Sequence, residues 1–338
     1  MEIILSILGG LGLFLYAVSM LSKVLNELLG DRTRNIVKKC VSNIFTAILT
    51  GTLVTVLLDS SSAVIILTIV LVNARVLTFR QALGIVMGAN IGTTFSSQLI
   101  AFDIGKFSPI PIFIGLLLSF FSRNENLSKG AQALLFFGIL FFGLYTMERS
   151  VEPLRDNTIF TTLMERLNNP LKGAGMGALV TLIIQSSSAT VGIVITLAKK
   201  GLIEIPGAIA VMLGAELGTC ADTLLATIRS NRQALKTGLF HLGFNVITIS
   251  VGLICFPLFV QLIIKISGNS SLQQQVATSH MIFNILGVII FLPFVNLIER
   301  LFNHLLPDNP TTASTHNDSK KKYGTGKTDE LQVETDGK

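Results

Sequence analysis

Two runs of three serines, Ser60-Ser61-Ser62 and Ser186-Ser187-Ser188, each interrupt an otherwise apolar stretch. A helix that begins at such a run offers unpaired backbone N–H groups, hydroxyl donors and the positive end of its dipole, a combination that suits a tetrahedral oxyanion. Hydroxyl oxygens and carbonyls released by a break in a membrane helix also suit sodium. Two such starts facing each other would surround an anion from both sides and replace the water it sheds.

The runs belong to a longer duplication. Gly51-Thr-Leu-Val-Thr-Val-Leu-Leu-Asp-Ser-Ser-Ser-Ala63 returns as Gly177-Ala-Leu-Val-Thr-Leu-Ile-Ile-Gln-Ser-Ser-Ser-Ala189, 126 residues later, with eight of thirteen positions identical. The same offset lays Gly88-Ala-Asn-Ile-Gly-Thr-Thr94 on Gly214-Ala-Glu-Leu-Gly-Thr-Cys220, and Gly12 on Gly138. Glycines four apart permit close approach of membrane helices, and packing accounts for them as well as a site does. Asn90 and Glu216 inside these blocks are costly in lipid without partners, so Asn90, Thr93 and Thr219 join the serines as candidate oxyanion contacts, with Thr94 a candidate for a cation.

The elements that position these residues must be membrane helices. Half of the residues are hydrophobic, 14% are charged and the mean hydropathy is +0.66, against roughly one-quarter charged in soluble domains. Long apolar runs without a period of two predict helices rather than a barrel, because backbone groups in lipid must pair internally. The segments holding the serines, 44–73 and 173–198, each split into two apolar pieces around the polar tip. A piece of about fourteen residues covers roughly 21 Å, short of the roughly 30 Å hydrocarbon core. Each pair therefore reads as a re-entrant hairpin, with one long tilted helix as the other reading. The predicted fold is an all-α integral membrane protein built as an inverted repeat. Residues 1–126 hold a span at 3–22, the first hairpin and spans at 82–101 and 110–121. Residues 127–306 hold a span at 131–147, the second hairpin and spans at 206–228, 237–264 and 281–298, and 307–338 read as a disordered polar tail. Met1 to Ser22 has no basic lead and no small-residue cleavage site, so it reads as a retained span.

Charge placement orients the chain. Lys23, Arg32, Arg34, Lys38 and Lys39 crowd between the first span and the first hairpin, which predicts a cytoplasmic loop there and an N-terminus outside. The second hairpin then enters from the opposite face, with Lys199 and Lys200 outside against the rule. The net charge of +6 follows from these loops and Lys320-Lys321-Lys322, and implies no nucleic-acid partner. Cys40, Cys220 and Cys255 are scattered, which excludes a disulfide framework and predicts small buried side chains. His241 with Asn245, and His280 with Asn284, sit four apart on one helix face and read as bonds between helices; they lack the acidic companion of a metal motif.

At the serine blocks the chain resembles the type II sodium-phosphate cotransporter family. Gln185-Ser186-Ser187-Ser188 matches the family's Gln-Ser-Ser-Ser hairpin tip, and the Gly88 element and the His-x-x-x-Asn pairs are also similar. The resemblance covers roughly residues 5–300. It implies a sodium-driven symporter of inorganic phosphate, not an enzyme and without a cofactor, multi-pass in the cytoplasmic membrane, working as a homodimer by alternating access at a site between the tips. Asp59 stands where the pattern has Gln, and Glu216 where it has Asn; Asp59 to Asn90 and Gln185 to Glu216 are each 31 residues apart. A carboxylate at mid-span costs roughly 2.5–3.5 kcal/mol and repels an anion unless a cation lies between. Asp59, Gln185, Glu216 and Thr94 are accordingly the expected sodium ligands, with a protonated acid or a different oxyanion as alternatives. An ion channel, or an intramembrane hydrolase using Ser60 or Ser186 with His241 or His280, are the competing classes.

Overall fold

The computed structural model describes residues 2–102 and 104–307, apart from the side chains of residues 30–32, 34, 38 and 39. The described residues are helical, with no strand among them. Helix α1, Glu2–Cys40, runs 39 residues and so overturns the loop expected after residue 22. No proline interrupts residues 23–40, and Leu25, Leu28, Leu29 and Val37 recur at helical spacing, so the turn stays amphipathic and buries Val24 and Val37.

Asn43 then starts α2, Ile44–Leu58: its side chain accepts from the N–H groups of Phe45 and Thr46, and Thr46 Oγ1 accepts from the Asn43 N–H in return. Helix α3 follows at Ser61–Asn73, then α4 at Phe79–Ala101, α5 at Pro109–Phe121, α6 at Glu125–Val151 and α7 at Thr158–Arg166. The second serine segment forms α8, Pro170–Ile184, and α9, Ser187–Lys199. These two helices have the lengths of α2 and α3, 15 and 13 residues, and their bounds lie 126 residues further on.

The span expected at 206–228 is broken into α10, Ile205–Gly218, and α11, Cys220–Leu225. Asn245 donates its amide to the Glu216 carbonyl at 3.1 Å, in the last turn of α10. The span expected at 237–264 is likewise two helices, α12 at Arg232–Ile254 and α13 at Phe256–Ser267, because Pro257 has no N–H to continue the ladder. Pro293 similarly separates α14, Leu272–Phe291, from α15, Val295–Leu305. The tail expected at 307–338 lies outside the described residues beyond Pro307.

Five helical stretches among the described residues are long and apolar enough to cross a membrane: Glu2–Leu29, Glu125–Asp156, Ile205–Leu225, Arg232–Ile254 and Leu272–Leu305. Helices α2, α3, α8, α9 and α13 are apolar but shorter.

Helices α2 and α8 are seated by glycine. A Cβ on Gly88 of α4 would stand 2.0 Å from the Ile48 carbonyl oxygen of α2, and one on Gly214 of α10 would stand 1.8 Å from the Ala174 carbonyl of α8. Thr52 reinforces the first seam by donating to the Gly88 carbonyl at 3.0 Å. Packing therefore explains both glycine blocks. The end of α9 is tied as well. Lys199 Nζ lies 2.5 Å and Lys200 Nζ 3.1 Å from the Glu148 carboxylate on α6, and Lys200 also lies 3.6 Å from Glu152, so the basic pair that broke the charge rule is met by two acids. Cys220 is buried as expected, but Cys40 and Cys255 are exposed.

Candidate functional site

Each serine run begins a helix in the same way. Ser60 and Ser186 are N-caps in extended conformation, and their hydroxyl oxygens accept from the N–H groups of Ala63 and Ala189 at 3.2 and 3.1 Å. The cap occupies one donor per helix. The N–H groups of the next two residues, Ser61 with Ser62 and Ser187 with Ser188, lie in the first turn, where no helical acceptor exists.

The residue before each cap closes the preceding helix in the left-handed region: Asp59 with φ 51° and Gln185 with φ 60°. One helix therefore ends and the next begins within two residues, which brings the C-terminal carbonyls of the first and the N-terminal N–H groups of the second to the same break. Ser22 of α1 donates to the Leu58 carbonyl at 3.3 Å, satisfying part of that end.

Both tips line one cavity of about 310 Å³. Asp59, Ser60, Ser61 and Ser62 come from the first segment; Gln185, Ser186, Ser187 and Ser188 come from the second, and Thr219 comes from the break between α10 and α11. Helix α1 supplies a third wall with Ser19 and Ser22, neither of which was singled out from the sequence. Their spacing of three on an apolar span was the available signal, because such a pair shares one helix face. Asp59 also borders a smaller cavity of about 40 Å³ with Ser96 and Ser188, and Ser96 donates its hydroxyl to the Asp59 carboxylate. The cavity thus combines positive helix ends, hydroxyls and a single carboxylate, which is the equipment for an anion accompanied by a cation.

The remaining candidates stand elsewhere. Asn90, Thr93 and Thr94 are buried, do not line the cavity, and donate to carbonyls of their own helix, those of Val86, Ala89 and Ile91. Glu216 is also buried and off the cavity, with Oε1 at 2.8 Å from His280 Nε2. The two histidines reach other hydroxyls than those of the tips: His280 Nδ1 is 2.7 Å from Ser97 Oγ and His241 Nδ1 is 2.8 Å from Thr223 Oγ1. Both bond across helices, and neither is paired with Ser60 or Ser186. The described residues contain no cluster of three or more His, Cys, Asp or Glu that could hold a metal.

The family model described as "Na+/Pi-cotransporter" matches residues 13–149 and 142–290. "Uncharacterized protein YqeW" of Bacillus subtilis is 28% identical over 308 residues, 91% of this chain and 99% of that protein. "Putative inorganic phosphate export protein YjbB" of Escherichia coli is 26% identical over 310 residues, 91% of this chain, which spans 56% of that protein's length. "Sodium-dependent phosphate transport protein 2A" of Rattus norvegicus is 27% identical over 161 residues, 46% of this chain and 22% of that protein. No solved structure matches.

Proposed function

The chain belongs to the Na+/Pi-cotransporter family, a family of membrane transporters rather than enzymes, and from that premise we propose that it carries inorganic phosphate across the cytoplasmic membrane together with sodium. The observation that carries this reading is the single cavity lined by both serine runs. Phosphate sits between the tips and takes the free N–H groups of Ser61, Ser62, Ser187 and Ser188, the serine hydroxyls and Thr219 as donors, between the positive ends of α3 and α9. Asn90 and Thr93 contribute packing of their own helix rather than ligands.

Asp59 brings negative charge to the same cavity. Two like unit charges about 4 Å apart oppose each other by about 4 kcal/mol at an effective dielectric near 20, and a sodium ion between them reverses the sign. Sodium therefore binds beside Asp59 and Gln185, with carbonyls at the ends of α2 and α8, and makes phosphate binding depend on cation occupancy. Glu216 and Thr94 take no part in this ion site, since both lie off the cavity.

Helices of 15 and 13 residues reach about 22 and 20 Å, short of the roughly 30 Å core. In this reading α2–α3 and α8–α9 are re-entrant hairpins from opposite leaflets, residues 1–126 and 127–306 are inverted repeats, and movement of the hairpins against the other helices alternates access. The recurrence of helix bounds 126 residues apart supports it. Assembly as a homodimer follows the family resemblance. The name of the E. coli relative, which speaks of phosphate export, favours a second reading in which net flow is outward.

Radiolabelled phosphate flux in proteoliposomes tests both. Saturable uptake that rises with an inward sodium gradient is expected; uptake indifferent to sodium removes the coupling, and flux only down an outward phosphate gradient selects export.

A further inference from the structure

A second polar site lies outside the cavity, fully inside the protein. Ser97 on α4, His280 on α14 and Glu216 on α10 form a continuous chain: Ser97 Oγ to His280 Nδ1 is 2.7 Å, and His280 Nε2 to Glu216 Oε1 is 2.8 Å. Ser97 and His280 are 0% exposed and Glu216 is 3% exposed. A serine, histidine and carboxylate in line also serve nucleophilic catalysis, but Ser97 is fully buried, which closes it to a substrate in this conformation.

The corresponding positions in the other half are instructive. Thr223, 126 residues after Ser97, contacts His241 Nδ1 at 2.8 Å, and the far nitrogen of His241 is 3.2 Å from the Asn245 amide. That amide donates to His241 Nε2, so the ring is a neutral link. Asn90, 126 residues before Glu216, carries an amide where Glu216 has a carboxylate. Thr223, His241 and Asn245 thus form a neutral chain, whereas the chain that starts at Ser97 ends in an acid–base pair.

We propose that His280 and Glu216 are a proton-binding site whose occupancy changes during the transport cycle. With the proton bound, His280 donates from Nε2 to the Glu216 carboxylate and from Nδ1 to Ser97, and the pair is neutral. On release Nδ1 gives its proton to water admitted as α4, α10 and α14 move relative to one another, the Ser97 hydroxyl rotates from acceptor to donor, and one net negative charge remains on the pair. Both hydrogen bonds of the His280 ring, to Ser97 and to Glu216, persist in the two states, as a site that exchanges a proton inside an apolar interior requires.

The same residues connect to the cavity. Ser96, adjacent to Ser97, donates to Asp59 at the cavity wall, and Thr219, three residues after Glu216, lines the cavity. Movement of α4, α10 or α14 relative to one another must therefore alter the chain. The titratable groups on the packed elements are Glu216, Cys220 and Asp222 from α10 and α11, His241 from α12 and, through Ser96, Asp59; Lys236 of α12 is buried and donates to Asn303, and Arg80 of α4 is paired with Glu299. Lys199 of α9 is paired with Glu148, and Lys265 of α13 is exposed.

The link to phosphate movement rests on the transport reading; the proton site itself does not. Magic-angle-spinning spectra of the full chain, labelled with ¹⁵N-histidine and reconstituted in lipid, separate the two. The four histidines of the chain give one ring with both nitrogens protonated at neutral pH, absent in His280→Gln and reduced to one protonated nitrogen in Glu216→Gln. Ser97→Ala, which keeps both members of the pair, should shift the same resonance and serves if either variant fails to fold. A His280 ring that stays singly protonated from pH 5.5 to 9 overturns the proposal. In vesicles loaded with a pH-sensitive dye, phosphate entry should move protons in the wild type and lose that movement in His280→Gln. Proton movement undiminished by the substitution overturns the coupling, while absence of phosphate entry in the wild type sinks the transport reading and leaves the spectra to decide the site.

Discussion

Asp59 and Gln185 occupy equivalent turns 126 residues apart, and both are held at positive φ, 51° and 60°. The left-handed region disfavours side chains with a branched Cβ, at a cost of roughly 1–2 kcal/mol. The turn geometry therefore sets the cavity even where the side chains differ. Gln185→Val is expected to destabilise the protein by about 1–2 kcal/mol and Gln185→Gly by less than that, both read as midpoints of thermal unfolding in detergent. Equal loss in the two variants would mean that the Gln185 side chain, rather than its left-handed backbone, holds the tip.

Asp59 is the carboxylate of the cavity, so its charge and its turn are separable. Asp59→Asn keeps a residue that tolerates positive φ while removing the charge. It is expected to raise the sodium concentration for half-maximal phosphate flux by about tenfold, equivalent to about 1.4 kcal/mol. Thr94→Val, a shape-conserving change at a buried hydroxyl that donates only to the Ile91 carbonyl, is expected to leave the sodium curve where it is. A shifted curve for Thr94→Val, with none for Asp59→Asn, would move the ion off the cavity.

The serine tips were legible because local features create them: a polar run in an apolar stretch, too little length on either side, and a duplication that reproduces the break. The bounds of α2, α3, α8 and α9 fall close to the segments 44–73 and 173–198 and their serine breaks for that reason. What depends on partners distant in sequence was hidden. His280 lies 64 residues from Glu216, so the unusual carboxylate invited a sodium role at the tips instead of the imidazole it meets. The helical run of α1 past residue 22 was hidden by its own charges, which suggested a loop although nothing there stops a helix.

The glycine seams carry a sharper expectation than ordinary core positions. Gly88→Ala and Gly214→Ala each place a methyl group on a backbone carbonyl, and backbone cannot rotate away as a side chain would. Overpacking of this kind costs typically 1–3 kcal/mol or more. Both variants are expected to unfold at lower temperature and to lose phosphate flux, because α2 or α8 must retreat from its neighbour and carry its serine tip with it. Normal stability in both would mean that α2 and α8 already slide freely over α4 and α10.

Ser19 offers a test of the cavity's third wall. It is exposed on α1, lines the cavity with Ser22 and does not cap a helix end, whereas Ser22 does. Loss of one hydrogen bond to phosphate is worth about 0.5–1.5 kcal/mol, so Ser19→Ala is expected to raise KM for phosphate roughly two- to twelvefold. Thermal stability and the maximal rate should change little, since no intramolecular bond is removed. Ser19→Leu, which fills part of the cavity, is expected to abolish flux while the protein still folds. If Ser19→Leu transports phosphate with wild-type KM, phosphate does not bind in the space between α1 and the two tips.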